Sequence, residues 1–257
     1  MTAPVRICLL GFGEVGQTLA ADLHAGGIAD IRAWDILFPH PDSIPSRALA
    51  AGHAEAGRDL AEALTGCELV ISAVTAGQCV EAARAASSRL RRQEIYLDLN
   101  SVAPQTKAAA ARLVERAGSR YVEAAVMSPI APKRIASPML LGGPHAAAFL
   151  PLARTLGFAG MEVYSDVIGR ASAAKMCRSV MVKGIEALLA ESLLAARRYG
   201  VEDAVLASLE DLFPVGDWPG LARYMISRSL QHGARRAEEM REVARTVADA
   251  GLEPWMS

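Results

Sequence analysis

The sequence lacks what several protein classes require. Its cysteines (Cys8, Cys67, Cys79 and Cys177) are scattered and form no Cys-x-x-Cys pair, which argues against a disulfide framework or a metal site and fits a reducing cytosol. No run of about 18 apolar residues predicts a membrane span. The 27 basic and 28 acidic residues nearly cancel, so charge favours neither nucleic acid nor a membrane surface. The first strand is expected to begin by Val5, which leaves no room for a signal peptide, and we expect a cytoplasmic protein.

What the sequence has instead is a series of short apolar strands separated by helical patterns. The predicted strands are Val5–Leu10, Ile31–Trp34, Glu68–Val74, Ile95–Leu99, Tyr121–Val126, Pro138–Gly142 and Met161–Val163. After Ser165 the strand pattern stops, and a long helix is predicted over Gly169–Tyr199. The predicted fold class is therefore α/β, with a doubly wound Rossmann sheet over residues 1–165 and an all-α domain over residues 166–257.

A glycine-rich loop with the spacing G-x-G-x-x-G follows the first strand and opens a helix. Gly11 permits a tight turn, Gly13 lets a pyrophosphate approach the backbone, and Gly16 lets the helix pack on the strand. The helix N-terminus adds N–H groups and the positive end of its dipole. The loop residues predicted to contact a dinucleotide are Gly11, Phe12, Gly13, Glu14, Val15 and Gly16. The alternative is a tight turn that binds no ligand.

An acidic residue follows the glycine-rich loop at the distance along the chain that is typical of dinucleotide-binding loops. Asp35 ends the second strand 19 residues after Gly16, close to the usual spacing of the acid that binds a ribose 2′-hydroxyl. A carboxylate there accepts hydrogen bonds from a diol and repels a 2′-phosphate. The next residues, Ile36, Leu37 and Phe38, bring no positive charge. NAD is therefore the predicted cofactor and NADP is less favoured, unless Asp35 is an ordinary surface residue.

The helical half carries a polar stripe within Gly169–Leu188. Arg178, Ser179 and Lys183 follow Lys175 at offsets of 3, 4 and 8 residues, and offsets of 3 and 4 share a helix face. Small residues precede Lys175 and permit another group to approach closely. A solvated amphipathic face is the alternative interpretation of the same stripe.

Together these patterns resemble the β-hydroxyacid dehydrogenase and 6-phosphogluconate dehydrogenase superfamily over nearly the whole chain. The motifs that carry the resemblance are, in order, G-F-G-E-V-G in the glycine loop, "DLNS" at Asp98–Ser101, "YVEAAVMSP" at Tyr121–Pro129 and G-x-x-x-x-x-K at Gly169–Lys175. The resemblance implies that Lys175 is the catalytic acid and base and that Asn100 orients substrate or the nicotinamide ribose. It also implies that Val74 and Thr75 line the cofactor cleft. The ending His232–Ala244 is similar to a poorly characterised bacterial subfamily.

The chain departs from the superfamily beside the lysine. The superfamily usually has Asn four residues after it, where this chain has Ser179, preceded by Arg178. A guanidinium binds a carboxylate or a phosphate through two hydrogen bonds. Arg178 and Ser179 are therefore predicted to contact a small anionic substrate.

A second departure affects the substrate loop. The superfamily's Ser-Gly-Gly, whose N–H groups face a substrate carboxylate, corresponds here to Met127-Ser128-Pro129. Ser128 remains a predicted substrate contact, but Pro129 has no N–H to donate. Lys133, Arg134 and Arg178 are the candidates to replace the lost positive field.

The predicted function is hydride transfer between a nicotinamide cofactor and a hydroxyacid or aldehyde-type substrate, with Lys175 exchanging the proton. A lysine does this near neutral pH when burial or nearby cations lower its pKa, and Arg178 and Lys183 are the candidate neighbours. An imine reductase, a non-catalytic NAD-binding sensor and a purely structural helical oligomer remain alternatives. The sequence leaves open the substrate, the physiological direction and any accompanying decarboxylation.

The apolar stretches of the helical half also predict that the protein forms an oligomer. Ile185–Leu194, Val205–Phe213 and Leu221–Leu230 carry more apolar surface than the 92 residues after Ser165 can easily bury alone. Members of the superfamily generally dimerise through this domain, so we expect a homodimer. The alternative is that these helices pack on the first domain.

Overall fold

The computed structural model describes residues 5–90 and 93–256. The chain forms two compact units, Met1–Lys175 and Met176–Ser257. The boundary lies ten residues beyond the division at 165/166 that the loss of strand pattern predicts, because a continuous helix begins in the first unit and ends in the second.

One sheet organises the first unit. Its strands are β1 Ile7–Leu10, β2 Ile31–Trp34, β3 Glu55–Ala56, β4 Leu69–Ser72, β5 Ile95–Asp98, β6 Arg120–Val126, β7 Met139–Gly142 and β8 Met161–Ser165. They lie in the order β3-β2-β1-β4-β5-β6-β7-β8. Strands β1 to β6 pair in parallel, β7 is antiparallel to β6, and β8 is parallel to β7. The predicted fold class is confirmed, and the sequence misses only the two-residue β3 among these strands.

Helices connect the strands and form the second unit. They are α1 Glu14–Ala25, α2 Ile44–Ala48, α3 Leu60–Leu64, α4 Cys79–Ser87, α5 Pro104–Arg116, α6 Ala146–Thr155, α7 Arg170–Tyr199, α8 Glu202–Leu212 and α9 Trp218–Asp249. The sequence pattern does not predict α6, which contains Pro151. Proline disfavours a helix interior, but the burial of Phe149 and Ala153 against the sheet stabilises this helix.

Strand periodicity separates the core into two layers. Alternate residues of a strand point to opposite faces, so Ile7 and Leu9 join one apolar cluster while Cys8 and Leu10 join the other. The first cluster includes α1 and α6, and the second includes α3, α4 and α5. Both faces of the sheet are therefore covered, and the carboxyl ends of the parallel strands share one edge.

The second unit has its own small core. Leu189 and Leu193 of α7 pack with Trp218 and Ala222 of α9. Asp217 caps α9 by accepting a hydrogen bond from the backbone N–H of Gly220 at 2.8 Å. Within residues 5–90 and 93–256, no helix combines the length and apolar character that a membrane span needs.

Candidate cofactor and catalytic site

The strand order reverses between β1 and β4, and the loops after these two strands lie side by side. Gly11 follows β1 with φ +95°, and a Cβ added to it would lie 2.5 Å from the carbonyl oxygen of Ala73, which follows β4. A Cβ at Gly16 would collide with the carbonyl oxygen of Gly11. Packing within the protein therefore requires both glycines. Open α/β sheets bind their ligands at such a reversal of strand order.

Gly13 is different, because a Cβ there would meet no atom within 4 Å. This residue is the N-cap of α1, and no side chain caps the helix start. The N-terminal N–H groups and the positive end of the helix dipole therefore face open space beside Gly13. A diphosphate fits this cradle. Of the other predicted loop contacts, Glu14 is exposed, Val15 is half-buried and the ring of Phe12 is buried.

Asp35 holds the glycine loop directly. Its carboxylate accepts hydrogen bonds from the backbone N–H groups of Phe12 at 2.8 Å and Leu37 at 2.9 Å. Each carboxylate oxygen has a second lone pair, so Asp35 can still accept hydrogen bonds from a ribose. The ring of Phe12 packs edge-on against Phe38, with centroids 5.9 Å apart. Asp35 thus lies beside the loop, while its contact with a ribose and the choice between NAD and NADP stay predictions.

Asn100 joins the ends of β4 and β5. Its Oδ1 accepts a hydrogen bond from the backbone N–H of Val74 at 2.7 Å, and its Nδ2 donates to Ser72 Oγ at 3.0 Å. Asn100 is 4% exposed, so its amide serves mainly to fix the two loops. Its predicted contact with substrate or ribose stays a prediction. Val74 is half-buried and Thr75 is exposed, and Val74 Cγ1 would lie 3.0 Å from a Cβ on Gly11.

A fully buried ion pair lies under the loop after β5. Lys107 Nζ donates to the carboxylate and to the carbonyl oxygen of Asp98, each at 2.8 Å. The same carboxylate accepts hydrogen bonds from the Tyr121 hydroxyl at 2.6 Å and from the backbone N–H of Asn100 at 2.8 Å. Burial, with the negative charge of Asp98, raises the pKa of the Tyr121 hydroxyl well above its usual value, so this hydroxyl remains a donor. These bonds fix the backbone that leads to Ser101.

Lys175 reaches the same loop from α7. Its Nζ donates a hydrogen bond to Ser101 Oγ, across 74 residues of sequence, and both residues are half-buried. The fold therefore brings the "DLNS" and G-x-x-x-x-x-K motifs together. The sequence patterns assign no individual role to Ser101, Lys107 or Tyr121. The position of Ser101 in the "DLNS" motif is the one signal that could have pointed to it.

The two cations predicted to be neighbours of Lys175, Arg178 and Lys183, belong to the second unit. Arg178 is exposed and Ser179 is 8% exposed, one helical turn after Lys175. Lys183 Nζ lies 2.8 Å from a carboxylate oxygen of Glu239. The charge of Lys183 is therefore compensated within this unit, and its predicted effect on Lys175 stays a prediction.

In the substrate loop predicted after β6, some polar side chains bond to other protein groups and others are exposed. Ser128 is half-buried, and its hydroxyl donates to the carbonyl oxygen of Pro129 at 3.0 Å. Arg134 Nε donates to the carboxylate of Asp22, on α1, at 2.7 Å. Lys133 is exposed. Of the cations predicted to replace the lost positive field, Arg134 is thus already paired with a carboxylate.

The fold and this edge of the sheet define a dinucleotide-binding α/β protein. Residues 6–169 match the family described as the NAD binding domain of 6-phosphogluconate dehydrogenase. The chain belongs to this family, and the resemblance stated from its motifs is confirmed. Residues 196–257 match a domain of unknown function.

Solved structures show how widely the scaffold is used. A conserved hypothetical protein from Sinorhizobium meliloti 1021 is 36% identical, with 98% of this chain and 84% of that chain covered and a TM-score of 0.76. The conserved protein MTH1747 of unknown function, described as structurally similar to 3-hydroxyacid dehydrogenases, is 33% identical over 98% of this chain and 92% of its own, with a TM-score of 0.75. An imine reductase from Streptomyces aurantiacus is 20% identical, with 98% of this chain and 90% of that chain covered and a TM-score of 0.64. The fold alone therefore does not separate these chemistries.

Proposed function

We propose that the protein is an NAD-dependent oxidoreductase that transfers a hydride between a nicotinamide cofactor and a small, anionic hydroxyacid or aldehyde-type substrate. The observation that carries this proposal is the hydrogen bond from Lys175 to Ser101. It places a titratable amine at the carboxyl end of β5, which pairs with β4 beside the reversal of strand order. General acid–base catalysis needs a group of this kind within hydrogen-bonding reach of the reacting hydroxyl.

The cofactor supplies or accepts the hydride at its nicotinamide ring when it is bound. The N–H groups at the start of α1 would hold its diphosphate, because the approach at Gly13 is open. Asp35, tied to the backbone of Phe12, would accept hydrogen bonds from the ribose diol. The negative charge of Asp35 favours NAD over NADP.

Lys175 would exchange the proton of the substrate hydroxyl. In oxidation, neutral Nζ accepts that proton, and in reduction the ammonium returns it. Ser101 holds Nζ through its Oγ, and the Ser101 hydroxyl hydrogen remains available to the substrate oxygen. Arg178, Ser179 and Ser128 are the proposed contacts of the anionic part of the substrate.

The test is a panel of 3-hydroxyacids, aldonates, semialdehydes and cyclic imines with NAD(H) and NADP(H), followed by the absorbance of the reduced nicotinamide. Lys175→Ala should lower turnover by about 10²- to 10⁴-fold, the usual contribution of a general acid or base, and leave NADH binding nearly unchanged. The control is Arg112→Ala, which removes an exposed cation of α5 and should leave turnover unchanged.

Other outcomes separate the alternatives. Turnover of cyclic imines alone would assign an imine reductase. Tight NADH binding without turnover of any substrate would favour a sensor. Failure to bind either dinucleotide would overturn the proposal and leave a structural oligomer.

We also propose that the second unit forms a homodimer. Met181, Ile185 and Leu188 recur at helical spacing on α7 with exposed fractions of 65%, 36% and 56%. Burial of such an apolar stripe against a second copy of the chain would stabilise a dimer. Sedimentation equilibrium should give a dimer, and Leu188→Glu should shift it toward monomer. A monomeric wild-type protein would refute this proposal.

A further inference from the structure

We propose that Glu123 is a positioning residue, whose buried carboxylate fixes the first turn of α7 and thereby sets where Lys175 meets Ser101. The inference rests on the proposed role of Lys175 as acid and base. Glu123 lies in a predicted strand and within the "YVEAAVMSP" motif, neither of which assigns a role to its carboxylate.

The side-chain hydrogen bonds of Glu123 lead to the start of α7. Glu123 lies in β6 with no exposed surface. Its Oε2 accepts a hydrogen bond from the backbone N–H of Gly169, and its Oε1 accepts one from the backbone N–H of Ser172, each at 2.6 Å. The first N–H groups of a helix have no partner within the helix. The carboxylate therefore occupies the position where the helix dipole and these donors favour a negative charge.

A comparison with Asp98 shows how specific this arrangement is. Asp98 and Glu123 are register partners on the adjacent strands β5 and β6. Asp98 is compensated by the ammonium of Lys107. Glu123 forms no ion pair with a side chain in the described part of the chain, so the start of α7 is its compensation. A buried carboxylate is costly without such partners, so separating β6 from the start of α7 would be unfavourable.

The geometry of the helix carries this constraint to the lysine. Lys175 follows Ser172 by three residues, on the same side of α7 and about 4.5 Å farther along the helix axis. The Ser172 hydroxyl also donates to the carbonyl oxygen of Gly169 at 3.2 Å, which tightens the first turn. A shift of this turn therefore moves Nζ relative to Ser101. Misplacing a reacting group by about 1 Å can cost about 10²-fold in rate.

Gly142 offers an independent way to disturb Glu123. This residue ends β7, and a Cβ added to it would lie 2.7 Å from Glu123 Oε2 and 3.5 Å from the Cβ of Ala171. Its φ is not in the left-handed region, so alanine brings no backbone strain. Gly142→Ala should displace the carboxylate while keeping its charge.

The experiment compares Glu123→Gln with Glu162→Gln, which makes the same change at an exposed position of β8. In Glu123→Gln an amide NH₂ faces a backbone N–H, so one of the two bonds is lost. We expect kcat to fall by about 10- to 100-fold, while the Kd for NADH changes by less than about threefold. Glu162→Gln should change neither quantity.

A second readout does not need turnover. Acetic anhydride labels amines, and mass spectrometry gives the labelling rate of Lys175 relative to exposed Lys133 in the same sample. Glu123→Gln should raise this ratio at least about threefold by releasing Lys175 from Ser101, and Gly142→Ala should raise it less. Glu162→Gln should leave it unchanged.

An unchanged labelling ratio in folded Glu123→Gln would overturn the inference. If that variant does not fold, an unchanged ratio in Gly142→Ala overturns it instead. If the wild-type protein turns over no substrate, the proposed function fails, but the labelling ratio still decides whether Glu123 positions Lys175. The two failures are therefore distinguishable.

Discussion

Replacing Gly13 with alanine separates what the ligand requires of the glycine loop from what the fold requires. The backbone of Gly13 has φ −77° and ψ −159°, which alanine adopts readily, and the new Cβ would meet no protein atom within 4 Å. Lower unfolded-state entropy adds about 0.4–1 kcal/mol to stability, whereas alanine is a poorer N-cap than glycine by up to about 1 kcal/mol. The free energy of unfolding should therefore change by less than about 1 kcal/mol.

Gly11→Ala is the matched variant in the same loop. Its Cβ would lie 2.5 Å from the carbonyl oxygen of Ala73, and its φ of +95° disfavours any side chain. The conformation alone costs about 1–2 kcal/mol, and the steric collision adds to it. The free energy of unfolding should fall by at least about 2 kcal/mol, whether or not a dinucleotide is present. Urea denaturation followed by circular dichroism measures both variants.

Gly13→Ala should weaken NADH binding strongly, although it changes the free energy of unfolding little. The methyl group of Gly13→Ala occupies the space through which a diphosphate approaches the N–H groups of α1. Losing one charged hydrogen bond there costs about 1.5–3 kcal/mol, which raises the Kd for NADH by about 10- to 150-fold. NADH fluorescence titration measures this change. If folded Gly13→Ala binds NADH within about threefold of wild type, the diphosphate does not approach the backbone at Gly13, and the proposed cradle is wrong.

Three further predictions concern the cofactor, the substrate and the thiols. Asp35→Ser should narrow the preference for NADH over NADPH in fluorescence titrations, and tighter NADPH binding by the wild type would contradict the assignment. Arg178→Ala should raise KM for an anionic substrate by up to about fivefold, the contribution of an exposed charge pair, and equal activity of wild type on an uncharged analogue would argue against this contact. Burial raises the pKa of the Cys79 thiol, and Asp98 adds to the effect. Ellman's reagent should therefore label exposed Cys177 in the folded protein and the buried cysteines only in denaturant, and fast labelling of Cys79 would refute this burial.

Local patterns predict the nucleotide loop well because its requirements are local. A tight turn needs Gly11, a helix start needs a short gap after the strand, and Asp35 lies at a fixed distance along the chain. The hydrogen bond from the backbone of Phe12 to Asp35 cannot be predicted in this way, because it depends on the pairing of β1 with β2. Helix α6 is missed for a related reason. Pro151 disfavours a helix interior, and only the burial of α6 against the sheet compensates for this.

The catalytic half of the site depends on contacts between distant segments. Lys175 and Ser101 each stand in a recognisable motif, but their hydrogen bond follows from the placement of α7 against the end of β5. Glu123 lies within the "YVEAAVMSP" motif, but a single acid in an apolar strand gives no indication of its partners. Its role becomes visible only when the sheet brings β6 to the start of α7.

Two buried carboxylates at this edge, Asp98 and Glu123, each fix one side of the hydrogen bond between Lys175 and Ser101. Asp98, with Lys107 and Tyr121, fixes the loop that carries Ser101, whereas Glu123 fixes the helix that carries Lys175. Adjacent buried carboxylates are costly to a fold because each must be compensated. Here each is compensated by a different partner, so neither depends on the other for its charge balance. Both nevertheless act on the same contact, so loss of either should disturb the geometry of the Lys175–Ser101 pair, and loss of both should cost less than the sum of the two.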